Sequence, residues 1–351
     1  MQDVVREEFT DEQEALFREL PVLYGLDGEP SDIARTDVRE KFTIGLNIGQ
    51  QRYFLKHVID SKGPLTDHER LQLDLQRSLH ERGFPVAAVI RTCAGATMAE
   101  WKGQRYILYE FVGERYDPRQ RLEQTSSMAE ALGRFHGLTA KSGITGWWWD
   151  YDPTFRFPVD FLDYRRRSLT EADIPDTRRA KVEAVLNDMG EMLRDAIGQL
   201  IDGGWRQLPE IPIHGDFGTH NCRFAGPKLA AVVDFNMARM SPRSLDISKG
   251  LATSLGPGAD GHFPGWEQVP LEMPDREAIV GWFENYMQFA PPFQEKEALL
   301  LPLVCAANWT TWGNPPRDEE RVESAGLVAD FMRCLLQDSW DIYSIVRQGG
   351  R

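Results

Sequence analysis

Asp234 follows the apolar run LAAVV and precedes Phe235, so its charge sits at the close of an apolar segment read as a buried strand. An ionised carboxylate is expensive to bury unless a cation shares the site. Thirteen residues upstream, Asn221 offers an amide oxygen. A carboxylate and an amide oxygen suit a hard divalent cation, and Mg2+ takes one or two carboxylates and fills its other positions with water and phosphate oxygens. The same stretch, IPIHGDFGTHN, carries His214 and Asp216 ahead of Asn221. Lys56 stands far upstream in RYFLKHV. With alternating side chains, Phe54, Lys56 and Val58 share one face of a strand. The ammonium therefore points where an aromatic ring points and needs anionic company, which phosphate oxygens would supply.

These residues need elements to hold them. Thr10 and Gln13 form a capping box that opens a short helix through Leu20. IART, FTIGL and RYFLKHV read as three antiparallel strands between Ile33 and Val58, and Leu71, Leu75 and Leu79 mark a helix over Thr66 to Arg82 that stops at Gly83. PVAAVIRT and RYILYEFV read as two more strands, flanking a turn and a short MAEW strand. After Gly113 the composition changes: ERYDPRQRLEQTSS is a polar connector. From Met128 the segments are mostly helical, namely MAEALGRFHGLTA, PVDFLDYRRRSL, TRRAKVEAVLNDMGEMLRDAIGQLI and several past Pro274. The segment holding His214 to Asp234 is a β-rich interruption of that helical part. The pattern predicts an α+β chain in two lobes, a small β-rich lobe over residues 1–112 and a larger, mostly helical lobe over 113–351.

Composition removes several classes. The 351 residues carry a net charge of −14, which argues against non-specific nucleic-acid binding. The longest apolar run, Ala298 to Ala307, is too short to span a bilayer and contains Pro302. The acidic start MQDVVREEFTDEQEALF lacks the form of a signal peptide, and the expected location is the cytoplasm. Cys93, Cys222, Cys305 and Cys334 form no metal-binding spacing and are expected to be buried thiols in a reducing compartment.

The spacing H-x-D-x-x-x-x-N of His214, Asp216 and Asn221 matches the catalytic loop of the eukaryotic-type kinase fold, where Asp takes the proton of the substrate hydroxyl and Asn ligates magnesium. The longer run IPIHGDFGTHNCRF, LAAVVDFNMAR and SLDIS resembles the aminoglycoside phosphotransferase, choline kinase and homoserine kinase type II superfamily. FLKHV, RGFPV, LYEFVGE and ALGRFHG agree with it, and the likeness covers roughly Asp32 to Gly250. It implies a bilobal protein-kinase-like fold and an ATP-dependent phosphotransferase that moves the γ-phosphoryl group to a hydroxyl of a small molecule, with ATP and Mg2+ as cofactors. The resemblance makes Asp216 the catalytic base, Asn221 and Asp234 the metal ligands, and Lys56 the phosphate clamp. Tyr109, Glu110, Phe111 and Val112 become the hinge that binds adenine through the backbone. His214 and Asp246 become structural braces of the loop, and His136 a helix-packing residue.

The chain departs from that pattern in three places. The turn DVREK between the first strands has no glycine, so a glycine-rich phosphate lid is missing. For the helix glutamate that holds the lysine, Gln72 lies nearest the expected position and Glu69 one turn earlier; Glu69 is preferred because glutamine cannot neutralise Lys56. The second motif reads Asp-Phe-Asn with no A-P-E segment after it, which sets protein kinases aside. The first two departures keep open a second reading, a catalytically idle nucleotide-binding pseudokinase acting through protein partners. Gly256, Gly258 and Gly261 spell a dinucleotide fingerprint, but without a preceding strand they are read as a loop. For the acceptor site, Trp149, Asp150 and Asp152, in a run of tryptophans from Trp147, and the pair Trp309 and Trp312 offer aromatic faces and carboxylates suited to a cationic or sugar-like ligand.

Overall fold

A computed structural model of the chain describes residues 9–35, 43–58, 67–145, 160, 162–163, 166–167, 175–256, 273–309, 329–336 and 341–348. The chain divides into two units, Met1–Gly113 and Glu114–Arg351.

In the first unit, α1 (Asp11–Tyr24) begins at the Thr10 capping box: the Thr10 hydroxyl accepts the Gln13 N–H, and the Gln13 side chain accepts the Thr10 N–H at 3.0 Å. The helix overruns its expected end at Leu20. Pro21 removes one intrahelical bond, yet Leu16, Leu20 and Tyr24 lie in one buried stripe with Phe17, and the Tyr24 hydroxyl donates to the Tyr106 carbonyl at 2.9 Å. That burial carries the helix to Gly25, whose φ of 64° forms the left-handed cap.

The sheet packed against α1 contains β1 (Pro30–Arg35), β2 (Thr43–Ile48) and β3 (Gln51–Val58), with β4 (Val89–Ile90), β5 (Ala99–Trp101) and β6 (Gln104–Glu110) after the helix α2 (Asp67–Glu81). All pairings are antiparallel in the order β1-β2-β3-β6-β4, with β5 also on β6. Tyr53 and Leu55 of β3 join Leu46, Leu108 and the α1 stripe in the core. Alternation puts Phe54, Lys56 and Val58 on the opposite, half-buried face, with Lys56 in register with Thr43 and Ile107. β4 is shorter than the expected strand PVAAVIRT. α2 stops at Gly83, as its φ of 71° requires.

The second unit contains α3 (Arg121–Thr139), α4 (Asp176–Asp202), β7 (Ile211–Ile213), β8 (Cys222–Ala225), β9 (Lys228–Val232), β10 (Arg239–Ser241), α5 (Ser244–Leu255), α6 (Arg276–Met287), α7 (Glu295–Trp309) and α8 (Ile342–Gln348). β8 pairs with β9 as a hairpin, and β7 pairs with β10. The polar stretch before Met128 is largely helix, not connector. α3 starts at Arg121, and its polar face serves the protein interior: Gln124 donates to Gly226 O at 2.8 Å, and the Ser127 hydroxyl accepts the Leu229 N–H at 2.8 Å. Polar residues satisfying a hairpin's backbone look like a loop to a hydrophobic count.

In ALGRFHG, Gly133 and Gly137 lie against the carbonyls of Tyr286 and Phe289, where a Cβ would not fit. The two glycines let α3 and α6 approach closely. The expectation of buried thiols holds for Cys222 and Cys305 only. Cys93 is exposed in the turn after β4, and Cys334 is half-buried; none is in a disulfide. Among the described residues, no helix is long and apolar enough to cross a membrane. Trp149, Asp150, Asp152, Trp312, the side chain of Trp309, the DVREK turn, and Gly258 and Gly261 lie outside the described residues.

Candidate active site

The loop from His214 to Asn221 leaves β7 and is gripped by one face of α5. Asp246, Lys249 and Thr253 stand at i, i+3 and i+7 of that helix, all of whose residues are buried. Asp246 Oδ2 accepts the His214 N–H at 2.7 Å and its Oδ1 accepts the Gly215 N–H at 2.8 Å. One turn on, Lys249 pairs with Asp216 Oδ1. A further turn on, the Thr253 hydroxyl accepts the Thr219 N–H at 3.1 Å. Gly215 is needed twice: its φ is 77°, and a Cβ there would collide with the Met237 carbonyl.

Behind the loop runs a polar chain closed to water. His136 Nε2 lies 3.3 Å from Asp246 Oδ2, and His136 Nδ1 lies 2.9 Å from the Tyr286 hydroxyl. His214 accepts the Asp216 N–H at Nδ1, 3.2 Å, and its Nε2 donates to Val233 O at 3.0 Å. That pattern requires the neutral ring of His214. Burial pushes both imidazoles below their ordinary value, and the Asp246 carboxylate only partly counters it. Asp246 itself is held below the usual range. Burial would raise it, but the hydrogen bonds from His136 and from the His214 amide outweigh that.

Asp216 carries the densest set of partners in the loop. Oδ1 is paired with Lys249, while Oδ2 accepts Asn221 Nδ2 at 2.8 Å and lies 3.0 Å from His220 Nε2. The side chain keeps 26% of its surface accessible, against 6% for Lys249. Burial would push the carboxyl up; the Lys249 ammonium and the His220 contact overcome it and hold the group well below the usual carboxylate range. Gly218 makes room for this arrangement, since a Cβ there would overlap the His220 ring.

The backbone brings Asn221 and Asp234 together. Val233 donates its N–H to Asn221 O at 2.9 Å and accepts His214 Nε2 on its carbonyl, so the next residue, Asp234, follows a doubly tethered residue. Asp234 has φ 62°, a left-handed conformation that aspartate tolerates better than most residues. Asn221 uses its Nδ2 on Asp216, and Oδ1 is the atom it can offer a cation. Among the described residues, no group of three or more His, Cys, Asp or Glu could hold a metal. Two oxygen donors, one of them a carboxylate, fit Mg2+ that is completed by phosphate and water.

In the first unit, Lys56 is half-buried on β3, and Glu69 and Gln72 are half-buried on α2. Tyr109 and Glu110 end β6. The Glu110 N–H donates to Ala88 O at 3.0 Å and the Phe111 N–H to Arg52 O at 3.1 Å, with the Arg52 guanidinium 4.1 Å from the Phe111 ring centre. The sequence reading missed Lys249, His220 and Thr253. A signal was available: D-x-x-K-x-x-x-T on a helix that is otherwise apolar or small puts three polar side chains on one buried stripe.

The chain resembles known proteins throughout. It is 22% identical over 277 residues to a homoserine kinase of Pseudomonas aeruginosa strain UCBPP-PA14, covering 79% of this chain and 78% of that protein. Its fold is that of an aminoglycoside phosphotransferase from Alicyclobacillus acidocaldarius, with a TM-score of 0.63 at 15% identity, 98% of this chain and 97% of that one being covered. It is also that of the amicoumacin kinase hAmiN, solved with AMP-PNP, Ca2+ and Ami, with a TM-score of 0.59 at 16% identity and 94% of each chain covered. The β-rich first unit and helical second unit are thus the two lobes of a kinase-like α+β fold. The model of the phosphotransferase enzyme family matches residues 40–273, from the second strand to beyond the helix that grips the His214 loop, and this chain belongs to that family.

Proposed function

We propose that this chain transfers the γ-phosphoryl group of ATP to a hydroxyl of a small molecule such as an amino alcohol, an aminoglycoside or a sugar-like compound. The observation that carries this reading is Asp216, an ionised carboxylate fixed by Lys249, His220 and Asn221, on a loop tied through Val233 to Asp234.

A carboxylate has about four lone-pair sites. Oδ2 meets two partners and Oδ1 one, so the reading places the acceptor hydroxyl on Oδ1 of Asp216. Asp216 orients that hydroxyl and receives its proton as the O–P bond forms. Because the phosphoryl transition state is loose, positioning matters more than basicity, and a carboxylate held below its usual range can serve. Asn221 Oδ1 and the Asp234 carboxylate would hold Mg2+, which when bound neutralises charge on the phosphates. Lys56 would bind the α- and β-phosphates, with Glu69 preferred as its carboxylate partner. Glu110 and Phe111 use their amides on Ala88 and Arg52, so adenine is assigned to carbonyls of Tyr109 to Val112 and to the Val112 amide. Trp149, Asp150, Asp152, Trp309 and Trp312 remain the proposed acceptor residues.

The curated relatives are homoserine kinases, which supports a small hydroxyl acceptor carrying an amino group. ADP release from Mg·ATP tests the reading, measured with L-homoserine, amino alcohols, aminoglycosides, nucleosides and sugars. At least one acceptor should raise the rate above that with water; no response to any of them would overturn it.

A further inference from the structure

We propose that Lys249 is the positioning residue of Asp216: a cation delivered from α5, outside the His214–Asn221 loop, that fixes the orientation of the catalytic carboxylate. This rests on the phosphotransferase reading above. Three observations carry it. Lys249 is a nearly buried lysine whose ammonium meets one named oxygen, Oδ1. His220 and Asn221 hold the other oxygen, so the two ends of the carboxylate are gripped from two different elements and the carboxylate cannot turn. Asp246 and Thr253, one turn on either side of Lys249 along the helix, hold the loop backbone, so the lysine comes from a surface already docked on the loop.

The balance of charge explains why a lysine belongs there. Asp216 keeps 26% of its side chain accessible, and the nearly buried ammonium of Lys249 beside it favours its charged form. Removing the ammonium leaves Oδ1 without its anchor while His220 and Asn221 pull on Oδ2. The acceptor hydroxyl would then meet a carboxylate that is misaligned, and misplacement of about an ångström is enough to slow a positioned reaction severely. Binding of nucleotide would be untouched, because Lys249 acts through Asp216.

The test is a double-mutant cycle on kcat and KM for Mg·ATP, with L-homoserine and with water as the acceptors. Lys249→Met should lower kcat by about tenfold or more, with KM for ATP within about threefold of wild type. In the Asp216→Asn background the same substitution should change kcat by less than about twofold, since the group it acts through is gone. An equal loss in both backgrounds would overturn the positioning role and put the lysine directly on the phosphoryl group. An unchanged kcat in Lys249→Met would overturn the inference while leaving the phosphotransferase reading standing. A wild-type chain that releases no ADP with any acceptor would overturn both.

A second readout does not depend on turnover. Lys249→Met should lower the urea midpoint of wild type more than that of Asp216→Asn, and equal shifts would count against the pairing. If Lys249→Met does not fold, Lys249→Gln and Lys249→Arg give the same split: the arginine variant should keep more kcat than the glutamine variant, and the reverse order would overturn the role of the charge.

Discussion

His136 Nε2 lies 3.3 Å from Asp246 Oδ2, in an interior that admits no water to either side chain. Through this contact a helix-packing residue of α3 braces the carboxylate that holds the amides of His214 and Gly215. The buried histidines and the buried aspartate also make stability depend on pH in one direction.

His136 and His214 have their folded values depressed by burial, so the unfolded chain takes up protons first as pH falls below about 6.5. Stability should be full above that value and decline below it. Asp246, also depressed on folding, adds stability that is present above about pH 4 and lost as pH falls further. Urea midpoints measured between pH 8 and 4 should fall steadily below about pH 6.5, and His136→Gln should flatten part of that decline. A midpoint independent of pH through this window would show that these groups are not neutral and paired as described.

Asp216→Asn would remove the proposed proton acceptor while keeping the shape of the side chain. Turnover should drop by about a hundredfold or more, with affinity for Mg·ATP little changed. Steady-state kinetics beside calorimetry separates the two quantities, and retention of most turnover would take Asp216 out of the mechanism.

Asp234→Ala should remove the magnesium dependence of nucleotide binding. Asn221 alone offers one neutral oxygen, too little to hold Mg2+ against water. Titration of the variant with ATP, with and without Mg2+, should give the same weak affinity in both cases.

Gly215→Ala introduces both a left-handed alanine, at about 1–2 kcal/mol, and a clash with the Met237 carbonyl. Loss of several degrees in Tm together with loss of activity is expected. Gly133→Ala should destabilise by separating α3 from α6 at Tyr286, and it should move the His136 ring away from the Tyr286 hydroxyl. A variant as stable as wild type would mean that the helices part without strain.

Much of this was legible in the residues themselves. The three strands around Lys56, the stop at Gly83 and the β-rich island around Asp216 follow from alternation, glycine placement and short apolar runs, which are local signals. The early start of α3 was not legible, because its buried face is polar: Gln124 and Ser127 satisfy a hairpin distant in sequence. The continuation of α1 through Pro21 was hidden for a related reason, since tertiary burial of Tyr24 outweighs a local breaker. Lys249 stayed unread because a lysine in an apolar helix announces its partner only when the fold has brought Asp216 beside it. The HxDxxxxN spacing within one loop is a local signal, whereas the pairing of Lys249 with Asp216 joins two segments and leaves no such mark.

Val233 donates its N–H to Asn221 and receives His214 on its carbonyl, so a single residue joins both ends of the loop to the segment that presents Asp234. Opening either end must break the other. The backbone protons of Asn221 and Val233 should therefore exchange with solvent deuterium at matched rates, in one subglobal event set by the release of α5, and not by fraying of the individual turns. Asp216 and Asp234 would then be lost and regained as one kinetic unit, and the protein would hold no state in which half of the site is formed.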